Sequence, residues 1–173
     1  MGSELVGIIS ALAGGLLTGL ISIKITNNQL RHEREKLLIE NEIAIKNERA
    51  SKLSAFKEEL FGLVENISFE CSQTKNYIME ETGITLNDFH AHYQKVNQMA
   101  MRAKLIAYLH FPNLIKEINE IYGLTNVMWG NQQNYFGYST ENEQKQGLLR
   151  DIVKYSMDLS TKCSVVMNLL SSS

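Results

Sequence analysis

Residues 5–23 read LVGIISALAGGLLTGLISI, an uncharged run bounded by Glu4 and Lys24. As a helix this run rises roughly 28 Å at 1.5 Å per residue, close to the hydrocarbon thickness of a bilayer. A helix that is apolar all round needs either lipid or a protein core on every side, and a chain of 173 residues can hardly supply such a core. A cleavable signal peptide would have a basic n-region and an A-x-A-like site. Here the chain opens Met-Gly-Ser-Glu and runs into Lys24 with neither. Gly2 does not make a myristoylation signal, because Val6 stands where that motif needs Ser or Thr. The reading is an uncleaved transmembrane helix within a segment 1–26. All Lys and Arg residues follow it, starting with Lys24, Arg31, Arg34 and Lys36, so the positive-inside rule puts the N-terminus outside and the remainder in the cytoplasm of a plasma (inner) membrane.

Placed on a wheel at 100° per residue, Gly7, Ser10, Ala11, Gly14, Gly15, Thr18, Gly19 and Ser22 share one side of the span, and Leu5, Ile9, Leu12, Leu16, Leu20 and Ile23 the other. In lipid no hydrophobic force pairs helices. Close association needs small residues that let backbones approach and hydroxyls that hydrogen-bond across. The rows Gly7-Ala11-Gly15-Gly19 and Ser10-Gly14-Thr18-Ser22 supply both, so the span is expected to self-associate. Two outcomes stay open: a tightly packed oligomer without a lumen, or a narrow pore lined by Ser10, Thr18 and Ser22. With no Asp, Glu, Lys or Arg inside the span, any charge selectivity would be set at the mouth.

Residues 27–52 form a helical stalk on this reading. The segment has neither glycine nor proline, mixes charges of both signs, and spaces Leu30, Leu37 and Ala44 by heptads. From Leu20 to Phe61 there is neither glycine nor proline, so one long helix can leave the membrane, with Asn27-Asn28 a candidate break and recap. Residues 53–173 read as a cytoplasmic four-helix bundle. The first stripe is Leu53, Phe56, Leu60, Leu63, Val64, Ile67, Cys71 and Ile78, ending near Gly83. Thr85 and Asp88 box a second helix carrying Phe89, Tyr93, Val96, Met99, Ala103 and Ile106 inward, up to His110. Pro112 opens a third with Leu114, Ile115, Ile118, Ile121 and Tyr122, and Gly123 and Gly130 are possible ends. A connector over 131–139 includes Tyr135, Phe136 and Tyr138. Thr140 and Glu143 box the last helix, with Leu148, Leu149, Ile152, Ser156, Leu159, Cys163, Val166 and Leu170 inward. The fold class is therefore all-α: one N-terminal transmembrane helix, a stalk and a bundle, in a homo-oligomer.

A net charge of -2 argues against wholesale nonspecific nucleic-acid binding. Cys71 and Cys163 are far apart and belong to no CxxC pair, which favours reduced, buried thiols. No HExxH, GxSxG, GxGxxG or P-loop is present, and His90 and His92 are a poor metal pair because they face different ways on a helix. The chain reads as a non-enzyme with no metal and no cofactor. One run stands out: from His90 to His110 the second helix carries His90, His92, Lys95, Arg102, Lys104 and His110 and no acidic residue. It reads either as an anion or oligonucleotide site centred on Lys95, Arg102, Lys104 and His110, with Tyr135, Phe136 and Tyr138 available for base stacking, or as a solvated face whose acids lie on neighbouring helices.

With its single glycine-rich span and helical cytoplasmic part, the layout resembles that of small membrane effectors of bacterial anti-phage defence, in particular the membrane component of Hailong-type systems. That resemblance implies a homo-oligomeric ion channel gated by a nucleotide-polymer ligand and paired with a nucleotidyltransferase. It carries over no individual residue. The partners expected are other copies of the chain, the lipid bilayer, an oligonucleotide and the nucleotidyltransferase. The competing expectation is a membrane-anchored scaffold or adaptor whose bundle binds a partner protein.

Overall fold

The computed structural model describes the backbone over residues 2–79, 85–137 and 143–172, and the side chains of those residues except 2–21, 23, 25, 74, 75 and 77–79. It is all-helical, with no strand among the described residues. Helix α1 spans Gly2–Met79, α2 spans Leu86–His110, a one-turn 3-10 helix spans Pro112–Leu114, α3 spans Ile115–Gly137 and α4 spans Glu143–Ser172. The chain divides into two compact units, Met1–Ser51 and Lys52–Ser173.

In the first unit α1 passes through Asn27-Asn28 without a break, so the recap expected there does not form. Its surroundings explain this: the Leu-, Glu-, Lys- and Arg-rich residues after Asn28 are good helix formers, and the few weak interior positions at 26–28 cost less than a new pair of helix ends. Thr26 Oγ1 donates to the Ser22 carbonyl at 2.9 Å, and Arg31 pairs with Glu35 one turn on. Stalk and first bundle helix are thus one continuous element, as the glycine- and proline-free stretch from Leu20 to Phe61 allows. Leu30, Leu37, Leu38, Ile39, Ile43 and Ile45 are exposed within the single chain. Among the described residues no helix is long and apolar enough to cross a membrane. The span read at 5–23 falls on residues whose side chains, Ser22 apart, lie outside those described.

The second unit is a helical bundle. Leu60, Val64, Ile67 and Cys71 of α1 recur at helical spacing and are buried with Val96, Ala100, Ala103, Ile106 and Ala107 of α2. Leu114, Ile118, Ile121 and Met128 join them from the 3-10 turn and α3, and Ile152, Leu159, Cys163, Val166 and Leu170 from α4. Helix α3 packs against both α2 and α4. Leu53, expected in the core stripe, is 46% exposed, and the α1 core begins a turn later at the partly buried Phe56.

The helix ends follow local chemistry. Thr85 caps α2: its Oγ1 accepts from the Asp88 N–H at 3.2 Å, while Asp88 Oδ2 accepts from the Thr85 N–H at 3.2 Å. Phe111 closes α2 by donating its N–H to Ala107, and Pro112, which has no N–H to lose, starts the next turn. Helix α3 continues through Gly123 and Gly130 to Gly137, so neither interior glycine ends it and most of the connector at 131–139 is helix. The buried series Ile118, Ile121, Thr125, Met128 and Gln132 offsets the weak propensity of the two glycines. Tyr138, Ser139 and Thr140 lie outside the described residues.

Candidate functional site

The cationic run on α2 divides between two neighbouring helices because its residues point in different directions around the helix. Lys95 and Arg102, seven residues apart, share a face that meets α1. There Lys95 Nζ lies 2.5 Å from Glu70 Oε1, and His92 Nδ1 lies 3.0 Å from Glu70 Oε2. Glu70 is buried, and a buried carboxylate must be paired with cations and hydrogen bonds to persist. Arg102 grips Glu59 bidentately, with Nε 2.7 Å from Oε1 and Nη2 3.0 Å from Oε2. The guanidinium holds the Glu59 carboxyl below its ordinary value, and Glu59 in turn raises Arg102. Both groups remain in contact with water, so the bond orients α1 against α2 more than it stabilises them.

Lys104 and His110 are placed elsewhere. The Lys104 ammonium sits 4.9 Å from the centroid of the Tyr122 ring on α3, within cation–π range. The His110 imidazole stacks on Phe56 of α1, with centroids 4.1 Å apart and planes 13° apart. Lys95, Arg102, Lys104 and His110 therefore do not converge on one point, and each has an intramolecular partner. Arg102 and Lys104 remain partly open to solvent, where a polyanion could reach them.

The aromatic residues serve packing. Tyr93 stacks on Trp129 with centroids 4.5 Å apart, and its hydroxyl donates to Asn126 Oδ1 at 2.7 Å. Burial raises the Tyr93 phenol above its ordinary value. Phe136 packs against Phe89 at 5.3 Å, and Lys145 of α4 lies over Tyr135 at 4.7 Å. Among the described residues no group of three His, Cys, Asp or Glu is arranged to hold a metal ion. Cys71 and Cys163 are buried free thiols, each pushed up to about 12 chiefly by loss of water.

Of the span residues, Gly7, Ser10, Ala11, Gly14, Gly15, Thr18 and Gly19 have side-chain positions outside those described, and Ser22 is exposed. A face that the cationic run does not suggest is the outer side of α2. Met101, Leu105, Tyr108 and Leu109 are all exposed there at helical spacing, with Gln94 and Gln98 a turn or two before and no charged residue among the six. Periodicity could have found it: the four large apolar residues fall opposite the Val96, Ala100, Ala103 and Ala107 stripe. No protein-family model, no curated protein and no solved structure matches the chain.

Proposed function

We propose that the chain is a homo-oligomeric single-pass membrane protein that forms a gated ion channel or membrane-disrupting effector, controlled by a cytoplasmic four-helix bundle. The supporting observation is the continuity of α1. The same helix that lends Leu60, Val64, Ile67 and Cys71 to the bundle core carries the uncharged 5–23 run, with its two rows of small residues. A change in how α1 is held in the bundle has a covalent, hydrogen-bonded path to the span.

The groups that hold α1 to α2 also suggest how a ligand acts. A polyanion such as an oligonucleotide, docking on α2, competes with Glu59 and Glu70 for Arg102 and Lys95 and so loosens the contact. This fits a role in anti-phage defence beside a nucleotide-polymer-forming enzyme. Single-channel recording of the purified chain in planar bilayers tests the reading. Conductance that falls or disappears in Thr18→Leu, with membrane insertion kept, supports it; no conductance from an intact oligomer with or without oligonucleotides refutes it. An Arg102→Glu, Lys104→Glu double variant that binds oligonucleotides as well as the parent removes the ligand part of the proposal.

A second reading, a membrane-anchored scaffold that binds a partner protein, draws on the exposed, uncharged outer face of α2. Replacing 5–23 by an all-leucine helix of equal length separates the two. Activity that survives favours the scaffold, and activity lost despite insertion favours a specific span.

A further inference from the structure

Among the described residues, a pocket in the bundle core is accounted for by neither the cationic face nor the span. It lies where α1, α2 and α3 meet, a cavity of about 20 Å³ walled by Cys71, Phe89, Tyr93, Thr125, Trp129 and Gln132 among others, all uncharged. Gln132 is 4% exposed, and its amide nitrogen has no hydrogen-bond partner among the described residues. The indole nitrogen of Trp129, one turn before it on α3, is likewise buried without a partner. A buried amide or indole N–H without an acceptor carries the full cost of its lost hydration, and the rest of the core is packed with apolar side chains that could fill the same space.

We propose that this cavity is a binding site for one uncharged hydrogen-bond acceptor the size of a water molecule, held by Gln132 Nε2 and Trp129 Nε1. The volume exceeds the roughly 10–15 Å³ that one water needs and falls well short of an organic ligand. The occupant is neutral because no lining residue carries a charge to balance it. Its own hydrogens also have an acceptor at hand. The Thr125 hydroxyl gives its proton to the Tyr122 carbonyl at 2.8 Å, which leaves the lone pairs of Oγ1 open. Tyr93 takes no part as a donor, since its hydroxyl is committed to Asn126. Thr125, Trp129 and Gln132 lie at i, i+4 and i+7 on one face of α3, and all three line the cavity. The site makes a polar joint between three helices of the bundle.

Oxygen-17 relaxation dispersion of the full chain in detergent micelles, with urea unfolding of the same samples, tests the assignment. The parent chain is expected to show a long-lived internal water, and Gln132→Met and Trp129→Phe to lose it. Gln132→Met is also expected to raise the unfolded fraction at a given urea concentration about tenfold, because loss of the bound molecule leaves the buried Trp129 N–H without an acceptor. The opposite sign overturns the proposal: if the cavity is dry, Gln132→Met removes an orphan donor and the protein becomes more stable. A parent chain with no long-lived water overturns it too, as does a water signal unchanged in both variants. Where one variant fails to fold, the parent dispersion and the other variant decide.

Discussion

Arg102 illustrates how far one side chain reaches. Its bidentate grip on Glu59 is the main cause of the lowered Glu59 pKa, with the charge of the guanidinium adding to the hydrogen bonds. The stabilisation from a depressed carboxyl is fully present above its ordinary value of 4.5 and drains away as pH falls through the lower folded value. Carbon-13 titration of the side-chain carboxyls is therefore expected to move Glu59 up toward 4.5 in Arg102→Gln. Glu120, held down by Lys162 of α4, should stay where it is. The two buried thiols make a second prediction at this scale. With Cys71 and Cys163 pushed up to about 12, very little thiolate exists at pH 8. Alkylation by iodoacetamide should be roughly a hundredfold or more slower in the native chain than in urea, since the thiolate is the nucleophile. Equal rates would mean that the core around α1 and α4 opens readily.

Helix α3 shows what the interior glycines do and do not determine. Gly123 sits in the middle of a helix, and a Cβ built on it meets nothing within 4 Å. Neither a turn nor a close contact requires glycine there, so Gly123→Ala should stabilise the bundle by about 0.5–1 kcal/mol, read as a higher urea midpoint with an unchanged slope. A loss of stability would show that the outer face of α3 has a partner in the assembled protein. This helix also marks where the sequence was legible. Core stripes of α2 and α4 follow from periodicity alone, because Val96, Ala103, Ile106 and Ile152, Leu159, Cys163, Val166 fall at helical spacing, and in α2 the Thr85–Asp88 box fixes the start. The length of α3 does not follow. Glycine twice within one stretch reads locally as a helix end, and only packing against α2 and α4 overrides it. Likewise Asn27-Asn28 looks like a break until the helix formers on either side are weighed together. The acidic partners of the cationic face were half visible. Glu59 and Glu70 are eleven residues apart, three turns of one helix face, as Lys95 and Arg102 are two turns of another; what periodicity lacks is the register between α1 and α2.

For the molecule as a whole, the proposal stands on α1 being a single helix from Gly2 to Met79. Gating that runs from the bundle to the span requires this continuity, whereas a scaffold that uses the span only as a tether does not. Ala44 is the position to test, because it is exposed, lies in the first unit, and is remote in sequence from both the 5–23 run and the core residues that begin at Leu60. Ala44→Pro removes one backbone hydrogen bond and sets a ring against the carbonyl four residues earlier, at a cost of about 3 kcal/mol to the helix at that point. Ala44→Gly is the graded companion at about 1 kcal/mol. If α1 transmits the state of the bundle, the proline variant should insert, oligomerise and keep the unfolding transition of the bundle, yet lose the conductance response to a ligand, with the glycine variant between it and the parent. If the response survives the kink unchanged, the helix is a tether and the outer face of α2 becomes the place to look for function.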